Sequence, residues 1–426
     1  MALADALIGS HFRRDGDRLT IGGVAVDELA RTFGTPFYAY DAGLIRARYR
    51  ALADAVAGFA EVHYSIKANP NPAVVRVLVE EGAGLEVASG AEFQIAIAAG
   101  ASPERILFAG PGKGEDELRH AIEGGIGEIH LESVEEMVAV AAMASERNHL
   151  VNVAVRVNPA AAAQGGAMRM GGKPAAFGID EEALPEFLDR LSKLPRLSLT
   201  GIHMFAGTQI LDADVLVAQW SHGLDVARTV SRLIGRPLES IDLGGGLGIP
   251  YHAGDGTLDL DHVAEGVRGL KERMATEPEL QGSRVLIEPG RWLVGPAGVY
   301  VMAVRAVKSS RGQRFLVCDG GMHHHLAASG NLGQVVKRDY PIVAATKLGS
   351  VDRTPTTIVG PLCTPLDTLG RQTPMPEMQK GDLVAVLQSG AYGLTASPTG
   401  FLSHPLPAEV LVENGHHRRI DTPGRP

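Results

Sequence analysis

The stretch LEVASGAEFQIAIAAGASPERILFAGPGK, residues 85–113, contains one full repeat of the pattern that decides the fold. A short apolar run, Leu85–Ala88, is followed at once by Ser89-Gly90. Glu92–Ala99 then carries its apolar residues at helical spacing, and a second apolar run follows at Ile106–Ala109. A strand, a helix and another strand in this order predict two parallel strands joined by a crossover helix.

The same alternation extends outward in both directions, from about residue 60 to residue 290. Eight short runs rich in β-branched residues predict eight parallel strands. A closed (β/α)8 barrel, in the α/β class, is therefore the leading interpretation, and an open doubly wound sheet is the alternative. The predicted strands are Val62–Ile66, Leu85–Ala88, Ile106–Ala109, Ile129–Leu131, Val153–Val157, Leu199–Phe205, Ser240–Leu243 and Val285–Ile287.

Polar residues and glycines follow nearly every predicted strand. In barrels the carboxyl ends of the strands build the active site. Turn formation explains the glycines and prolines, but it does not explain a lysine, a glutamate and an arginine placed in the same way. Examples are Lys67-Ala68-Asn69, Gly207-Thr208, Gly244-Gly245-Gly246 and Glu288-Pro289-Gly290-Arg291.

The pattern changes after Arg291, where strand-like runs are separated by turns rather than by helices. These runs are Val299–Val307, Arg314–Cys318, Thr356–Val359, Leu383–Leu387 and Ala408–Val412. We expect a C-terminal β-rich domain, which the first 35 residues join through the runs around Gly22-Gly23. The predicted division is residues 36–290 for the barrel, with residues 1–35 and 291–426 in the β-rich domain.

Composition narrows the class of function. The net charge of −9, the pI of about 5.9 and the lack of a Lys/Arg cluster argue against nucleic-acid binding. No run approaches the ~18 to 20 apolar residues of a membrane helix, and the N-terminus does not resemble a signal peptide. Two cysteines, Cys318 and Cys363, form no disulfide framework. We expect a cytoplasmic enzyme that acts on small molecules, with no membrane partner.

Three groups of residues carry chemistry by themselves. Lys67, at a strand end inside a barrel, is expected to be desolvated, which can lower its pKa and make its amine nucleophilic. Gly244-Gly245-Gly246 offers backbone N–H groups to an anion, or simply forms a sharp turn. In Glu288-Pro289-Gly290-Arg291 the arginine or a glycine amide suits a phosphate, and the glutamate suits a ring nitrogen. A surface ion pair is the alternative for this last motif.

The β-rich domain contains two further candidates. Cys363 lies in a predicted turn, where a thiol is either reactive or a small buried hydrophobe. His323-His324-His325 suggests a metal site, but adjacent residues diverge in direction and no carboxylate or cysteine lies at ligand spacing. We therefore expect no metal.

The order of these motifs along the chain resembles that of the fold-type III decarboxylases that use pyridoxal 5'-phosphate (PLP), the family of diaminopimelate and ornithine decarboxylases. The resemblance covers almost the whole chain. Its most specific segments are Tyr64-Ser65-Ile66-Lys67-Ala68-Asn69, Ile241-Asp242-Leu243-Gly244-Gly245-Gly246, Glu288-Pro289-Gly290-Arg291 and Ser389-Gly390-Ala391-Tyr392.

The resemblance implies a role for each matching residue. Lys67 would carry PLP as a Schiff base, and Glu288 would face the pyridine nitrogen and keep it protonated. Cys363 would protonate the carbanion left by CO2, reaching in from the other subunit of a homodimer with shared active sites. Arg156 and Phe205 would complete the cofactor-binding set. The phosphate would be held by Thr208, Gly244, Gly245, Gly246, Gly290, Arg291 and Tyr392.

The chain departs from the family at three places. Phe205 stands where a histidine usually stacks on the cofactor, with His203 two residues earlier. Ala176 replaces a basic residue before Phe177-Gly178, and Thr364 replaces the carboxylate that grips a distal amino group. Asp367 is retained, and we expect His323, Thr364 and Asp367 to contact the substrate. These features resemble the exosortase-associated and butirosin-pathway-like subgroup, whose substrates are often conjugated at the distal end, in some cases to a carrier protein.

The leading hypothesis is an α-decarboxylase of a free or distally conjugated amino acid, and diaminopimelate decarboxylation is its main alternative. Racemisation on the same scaffold is disfavoured, because related racemases have an arginine where this chain has Glu288. A non-catalytic PLP-binding protein is disfavoured as well, because on this fold it would be a bare barrel without the β-rich domain.

Overall fold

The computed structural model describes residues 3–160, 168–169, 174–205, 207–332, 334 and 337–421. The chain divides into two compact units. The barrel unit comprises Arg48–Ile249 and Gly256–Gly290, and the β-rich unit comprises Met1–Ala47, Pro250–Asp255 and Arg291–Pro426. No helix among the described residues combines the length and the apolar character needed to span a membrane.

The barrel unit contains eight parallel strands that close into a barrel. The closure joins the first strand to the last, with Val62 opposite Ile287, and the fourth to the fifth, with His130 opposite Ala154. All eight predicted strands are present, and the closure excludes the open sheet. The strands are β1 Ala60–Ser65, β2 Gly84–Val87, β3 Ile106–Phe108, β4 Glu128–Leu131, β5 Val151–Asn158, β6 Leu197–Met204, β7 Ser240–Asp242 and β8 Arg284–Ile287.

Among the described residues of the barrel unit, seven α-helices connect the strands. Polar residues accept backbone N–H groups at the start of several of them; Ser89, Ser133, Asp212 and Asp259 do so. The helices are α1 Pro72–Glu80, α2 Gly90–Ala98, α3 Glu115–Glu123, α4 Val134–Glu146, α5 Leu184–Ser192, α6 Ala213–Ile234 and α7 Leu260–Thr276. Shorter elements are the strands Met168–Arg169, Ile179–Asp180 and Gly207–Thr208 and the 3₁₀ turns Ile66–Ala68, Pro103–Arg105 and Glu181–Ala183.

The β-rich unit contains one large sheet and a short three-stranded sheet formed by residues near the N-terminus. The large sheet runs in the order Thr368–Met375, Thr354–Val359, Gln313–Cys318, Gly298–Ser310, Phe37–Asp41, Ala408–Glu413, His416–Arg419. Leu383–Val386 pairs with Gly298–Ser310 and with Ile342–Ala344. The short sheet is Arg13–Asp15, Arg18–Ile21 and Val24–Ala25.

The helices of the β-rich unit are short, as the turn-separated pattern predicted. They are Leu3–Ser10, Val26–Phe33 and Arg291–Val294, with 3₁₀ turns at Gly295–Ala297, Ala327–Ser329, Leu394–Ala396 and Phe401–Ser403. The helix Ala42–Ala55 runs across the division between residues 47 and 48. Apolar residues from both ends of the chain share one core in this unit, including Leu19, Val299 and Val410.

The strand Phe37–Asp41 differs from our expectation, which began the barrel domain at residue 36. It lies between Gly298–Ser310, which it pairs with in antiparallel fashion, and Ala408–Glu413, which it pairs with in parallel. All five of its residues are buried. A strand buried on both faces has the same sequence pattern in a barrel and in the middle of another sheet, so its sequence does not assign it to either.

Candidate active site

Lys67 lies just after β1, in the 3₁₀ turn Ile66–Ala68. Its Nζ donates to Oε2 of Glu86 at 2.6 Å, and the same oxygen accepts the hydroxyl of Ser65 at 2.5 Å. Glu86 is nearly fully buried, whereas the Lys67 side chain keeps 44% of its surface exposed. The lysine is thus less desolvated than the sequence predicted, and its amine pairs with the buried carboxylate of Glu86.

Glu288 follows β8 and is buried in the barrel interior. Its Oε2 lies 3.3 Å from Nε2 of His203, and its Oε1 has no hydrogen-bond partner among the described residues. Burial by itself would raise the pKa of Glu288, but the contact with His203 and the charge of Lys67 lower it overall. Burial lowers the pKa of His203 below its ordinary value of 6.5. The site therefore presents a buried carboxylate beside a neutral imidazole.

The triple glycine after β7 forms a turn that tolerates no side chain. Gly244 and Gly246 have φ values of +68° and +107°, which L-residues rarely adopt. A Cβ on Gly245 would approach the carbonyl oxygen of Glu288 to 2.5 Å. In the described part of the chain the N–H groups of Gly245 and Gly246 have no acceptor. Two adjacent free amides without a Cβ suit an anion such as a phosphate.

Three other predicted residues of the barrel unit lie near this turn. Phe205 is half-buried, and its Cα would be 3.3 Å from a Cβ on Gly244. Thr208 lies in Gly207–Thr208, and the carbonyl of Gly207 lies 3.0 Å from the Cβ position of Gly246. A Cβ on Gly290 would meet Ala68, beside Lys67, at 2.9 Å. The ends of β1, β6, β7 and β8 thus meet at one place, as expected.

Arg156 on β5 is buried and held by Glu132, which follows β4. Its Nη1 donates to Oε1 of Glu132 at 2.7 Å, and the ring of Phe177 lies 5.0 Å from the guanidinium carbon. The same glutamate accepts the N–H groups of Gly110 and Gly178. Burial would raise the pKa of Glu132, but Arg156 lowers it overall. Arg156 is therefore a fixed cation in the barrel interior.

In the β-rich unit, Arg291 and Tyr392 lie together. The guanidinium carbon of Arg291 is 4.7 Å from the Tyr392 ring centre, and its Nη1 donates to the Tyr251 hydroxyl at 2.9 Å. The Nε of Arg291 is buried without a partner among the described residues. Burial would lower the pKa of Arg291, but the tyrosines raise it. An always-charged guanidinium with an unused donor suits a phosphate.

Cys363, Thr364 and Asp367 share one loop but differ in exposure. Cys363 is exposed and free. The hydroxyl of Thr364 accepts the N–H of Leu366 at 3.3 Å. Asp367 is buried, and its two oxygens accept the N–H groups of Met322 at 2.6 Å and Leu362 at 2.9 Å. Asp367 thus joins two loops of its own unit, and its contact with the substrate stays a prediction.

The three consecutive histidines are all buried. His324 contacts the Tyr300 hydroxyl and the Pro405 carbonyl, and His325 contacts the Ser389 hydroxyl. The ring of His323 contacts the rings of His324 and His404, each tilted by 43° from it, and in the described part of the chain neither of its ring nitrogens has a hydrogen-bond partner. Burial lowers the pKa of His323 to about 4, so the ring is neutral near neutral pH. Its role in substrate binding stays a prediction.

Two carboxylates of the site, Glu86 and Glu132, were missed in the sequence. Each belongs to or follows a short apolar strand, Gly84–Val87 and Glu128–Leu131. A carboxylate within a run of buried apolar residues is costly unless a cation or several donors face it. A carboxylate in such a run therefore predicts a nearby cation, and this signal could have indicated the pairing of Glu86 with Lys67 and of Glu132 with Arg156.

A family model described as "Pyridoxal-dependent decarboxylase, pyridoxal binding domain" matches residues 42–295. The chain belongs to this family. The decarboxylase is 39% identical to L-glutamyl-[BtrI acyl-carrier protein] decarboxylase of Niallia circulans over 402 residues, which cover 94% of each chain. It is 33% identical to diaminopimelate decarboxylase of Aquifex aeolicus over 408 residues, covering 96% of this chain and 93% of the relative.

Solved structures agree with this assignment. Diaminopimelate decarboxylase from M. jannaschii in co-complex with L-lysine superimposes with a TM-score of 0.88 at 26% identity. The match covers 96% of the decarboxylase and 94% of that chain. The protein is a PLP-dependent carboxy-lyase that acts on an amino-acid substrate.

The residues present fit PLP. In the barrel unit, the free amides of Gly245 and Gly246 are donors of the kind that a phosphate needs. In the β-rich unit, the unpartnered Nε of Arg291 is a donor of the same kind. The orphan Oε1 of Glu288 is an acceptor of the kind that a protonated pyridine nitrogen needs. A buried carboxylate oxygen without a partner is costly, so Glu288 favours a protonated ring nitrogen as its donor.

Proposed function

We propose that this enzyme removes the α-carboxylate of an amino acid whose distal end is uncharged or conjugated, such as a glutamyl group attached to a carrier protein. The strongest support is that the loop from Leu362 to Asp367 presents no free carboxylate beside Cys363. Asp367 uses both carboxylate oxygens on backbone N–H groups, and Thr364 beside Cys363 is neutral. No other carboxylate lies in residues 360–367, all of which are described.

A distal ammonium would lack a counter-charge from this loop. Leaving a buried ammonium unpaired costs several kcal/mol, on the order of 3–5. Lysine, ornithine and diaminopimelate all carry such a group. A relative at 39% identity, named for a glutamyl group on an acyl-carrier protein, supports the choice of a conjugated substrate.

The proposed roles are assigned to each residue from the contacts within its own unit. Lys67 holds the cofactor through its amine, and Glu288 accepts from the ring nitrogen. The free amides of Gly245 and Gly246 and the Arg291 guanidinium bind the phosphate. When bound, PLP supplies an electron sink for the bonding pair that CO2 leaves behind. A carboxylate at the ring nitrogen keeps that sink strong, which favours decarboxylation.

Cys363 donates a proton from Sγ to the α-carbon in this proposal, and it does so in the site of a second subunit. Its loop supports this arrangement, because Cys363 is exposed and Leu366 keeps 50% of its apolar side chain exposed. An exposed thiol also recovers its proton from water after each turnover. We therefore propose a homodimer with shared active sites. The cytoplasmic location inferred from the cysteine content stays a prediction as well.

Diaminopimelate decarboxylation is the second candidate, and the relative at 33% identity over 96% of the chain favours it. The two candidates differ in the charge that they require near Thr364. That difference makes them separable by one substitution.

The test is CO2 release from a matched panel of substrates. The panel contains L-glutamate, a carrier-linked or amidated glutamyl group, meso-diaminopimelate, lysine and ornithine. We expect fast release from the conjugated substrate and poor release from the three basic amino acids. Thr364→Glu should improve turnover of the basic amino acids, and Thr364→Gln, of equal size without the charge, should not. Efficient release from meso-diaminopimelate by the wild-type enzyme would refute the proposal.

A further inference from the structure

A column of polar side chains fills the barrel interior beneath Glu288. Glu128 and His130 alternate with apolar residues on β4, and Asp242 ends β7. The Oε1 of Glu128 lies 3.1 Å from Nε2 of His130, and its Oε2 accepts the hydroxyls of Thr200 and Ser240 at 2.6 Å each. Glu128 is thus fully used as an acceptor.

Asp242 is the member of this column that is grouped with Glu288. Its Oδ1 accepts the N–H of Gly244 at 2.8 Å, and its Oδ2 lies 3.9 Å from Nε2 of His130. One ligating atom each from His130, His203, Asp242 and Glu288 lie within 4.8 Å of one another. Yet within the described chain the Oδ2 of Asp242 and the Oε1 of Glu288 are both buried without a hydrogen-bond partner.

Two adjacent buried carboxylates cannot both be ionised at low cost, so one of them holds a proton. Burial and the neighbouring Glu288 raise the pKa of Asp242 well above its ordinary value. Burial would also raise the pKa of Glu288, but His203 and Lys67 lower it. The proton therefore belongs to Asp242. An O–H at Oδ2 of Asp242 that donates to Oε1 of Glu288 gives both oxygens a partner with a single proton, and the second lone pair of Oε1 stays available to the ring nitrogen of the cofactor.

We propose that Asp242 is a positioning residue that stays protonated and donates a hydrogen bond to Glu288. This hydrogen bond keeps Glu288 ionised and oriented toward the ring nitrogen of the cofactor. The Oδ1 of Asp242 is held by the N–H of Gly244, and the charge of nearby Glu128 adds to that of Glu288 in disfavouring an ionised Asp242. This proposal rests on the assignment of Glu288 to the cofactor and is independent of the substrate. The charged or titratable groups around the pair are Lys67, His63, Glu128, His130, His203 and Arg156.

The same four residues offer a competing arrangement, in which a divalent cation replaces the shared proton. Histidine nitrogens and carboxylate oxygens are ordinary ligands of such ions. The two arrangements differ in one measurable property, because a metal-bound Asp242 is ionised and a proton-sharing Asp242 is not. The experiment is chosen to measure that property directly.

The measurement is the infrared difference spectrum of wild-type holoenzyme minus Asp242→Asn near neutral pH. We expect the carbonyl band of a protonated carboxylic acid, with a shift in D2O. The matched control is Asp54→Asn, which changes an exposed aspartate of the same unit and should give no such band. Absence of the band would overturn the proposal. So would a stoichiometric divalent ion found in the purified enzyme by elemental analysis.

Cofactor affinity gives a second, independent measure. Asparagine copies the shape of a protonated aspartate and still offers a donor to Glu288, so Asp242→Asn should keep PLP affinity within about threefold. Asp242→Ala should weaken it about tenfold or more, because Oε1 of Glu288 loses its donor. Equal losses in the two variants would overturn the proposal. If the alanine variant fails to fold, the asparagine variant and the infrared band decide. Both readouts are obtained without substrate, so a wrong substrate assignment does not affect them.

Discussion

Replacing Asp367 by alanine should destabilise the β-rich unit rather than remove a substrate contact. The carboxylate accepts the N–H of Met322 on one loop and the N–H of Leu362 on another. The two loops also approach it closely at Gly321 and Gly360, where a Cβ would lie 2.2 Å and 2.3 Å from an oxygen of Asp367. Asp367 thus connects the segment of His323 to the segment of Cys363.

The size of the effect follows from the two amides that lose their acceptor. A buried N–H left without a partner costs about 1–3 kcal/mol, so two cost about 2–6 kcal/mol. Burial raises the pKa of Asp367, which means that its charge is itself costly, and removing that charge offsets part of the loss. We expect a net decrease of about 2–4 kcal/mol in the free energy of unfolding, and about half of that for Asp367→Asn.

The assay combines unfolding and steady-state kinetics. Urea unfolding should show the decrease in both variants, while Asp352→Ala, which changes an exposed aspartate of the same unit, should unfold like wild type. The kcat should fall because the Cys363 loop loses its anchor, and KM should change little. If Asp367→Asn unfolds like wild type and raises KM selectively for basic amino acids, then Asp367 contacts the substrate and our reasoning is wrong.

Three other predictions concern single contacts. Glu86→Gln should weaken PLP retention, measured by dialysis, because Lys67 loses its anionic partner; unchanged retention would exclude this role. Mixing Lys67→Ala with Cys363→Ala should restore about a quarter of all active sites in a randomly exchanged mixture, because half of the dimers are heterodimers and each has one site with both residues intact; no recovery after confirmed subunit exchange would place both residues in one subunit. Glu132 has a lowered pKa in the folded state. Its contribution to stability is therefore present above its ordinary pKa of 4.5 and lost as pH falls through the lower folded value. Glu132→Gln should flatten the acid arm of stability against pH, and an unchanged arm would contradict that.

The barrel could be predicted from the sequence because its strands and helices alternate with two different periods. The strand end that carries Lys67 and the glycine turn at Gly244 were likewise visible, since polar and glycine residues follow apolar runs directly. The strand Phe37–Asp41 could not be assigned, because its five residues are buried on both faces and fit either sheet. The strand Thr368–Met375 was also missed, since its glycine, proline and polar residues do not form an apolar run.

The polar interior was harder to predict than the backbone. Pairs such as Lys67 with Glu86 and Arg156 with Glu132 join residues on neighbouring strands, so only the register of the closed barrel brings them together. Asp367, in contrast, was singled out in the sequence, but its backbone contacts were not. Its type and its place near Cys363 suggested a substrate ligand, and only the folded structure adds that it accepts two backbone N–H groups from two different loops.

The most direct test of the central claim is the position of the covalent cofactor link. The purified enzyme should be yellow, with a visible absorption band that borohydride abolishes. After reduction and proteolysis, mass spectrometry should find pyridoxyl-lysine at Lys67, and Lys67→Ala should lose both the band and the label. A pyridoxyl group on any other lysine of the wild-type enzyme would contradict the account.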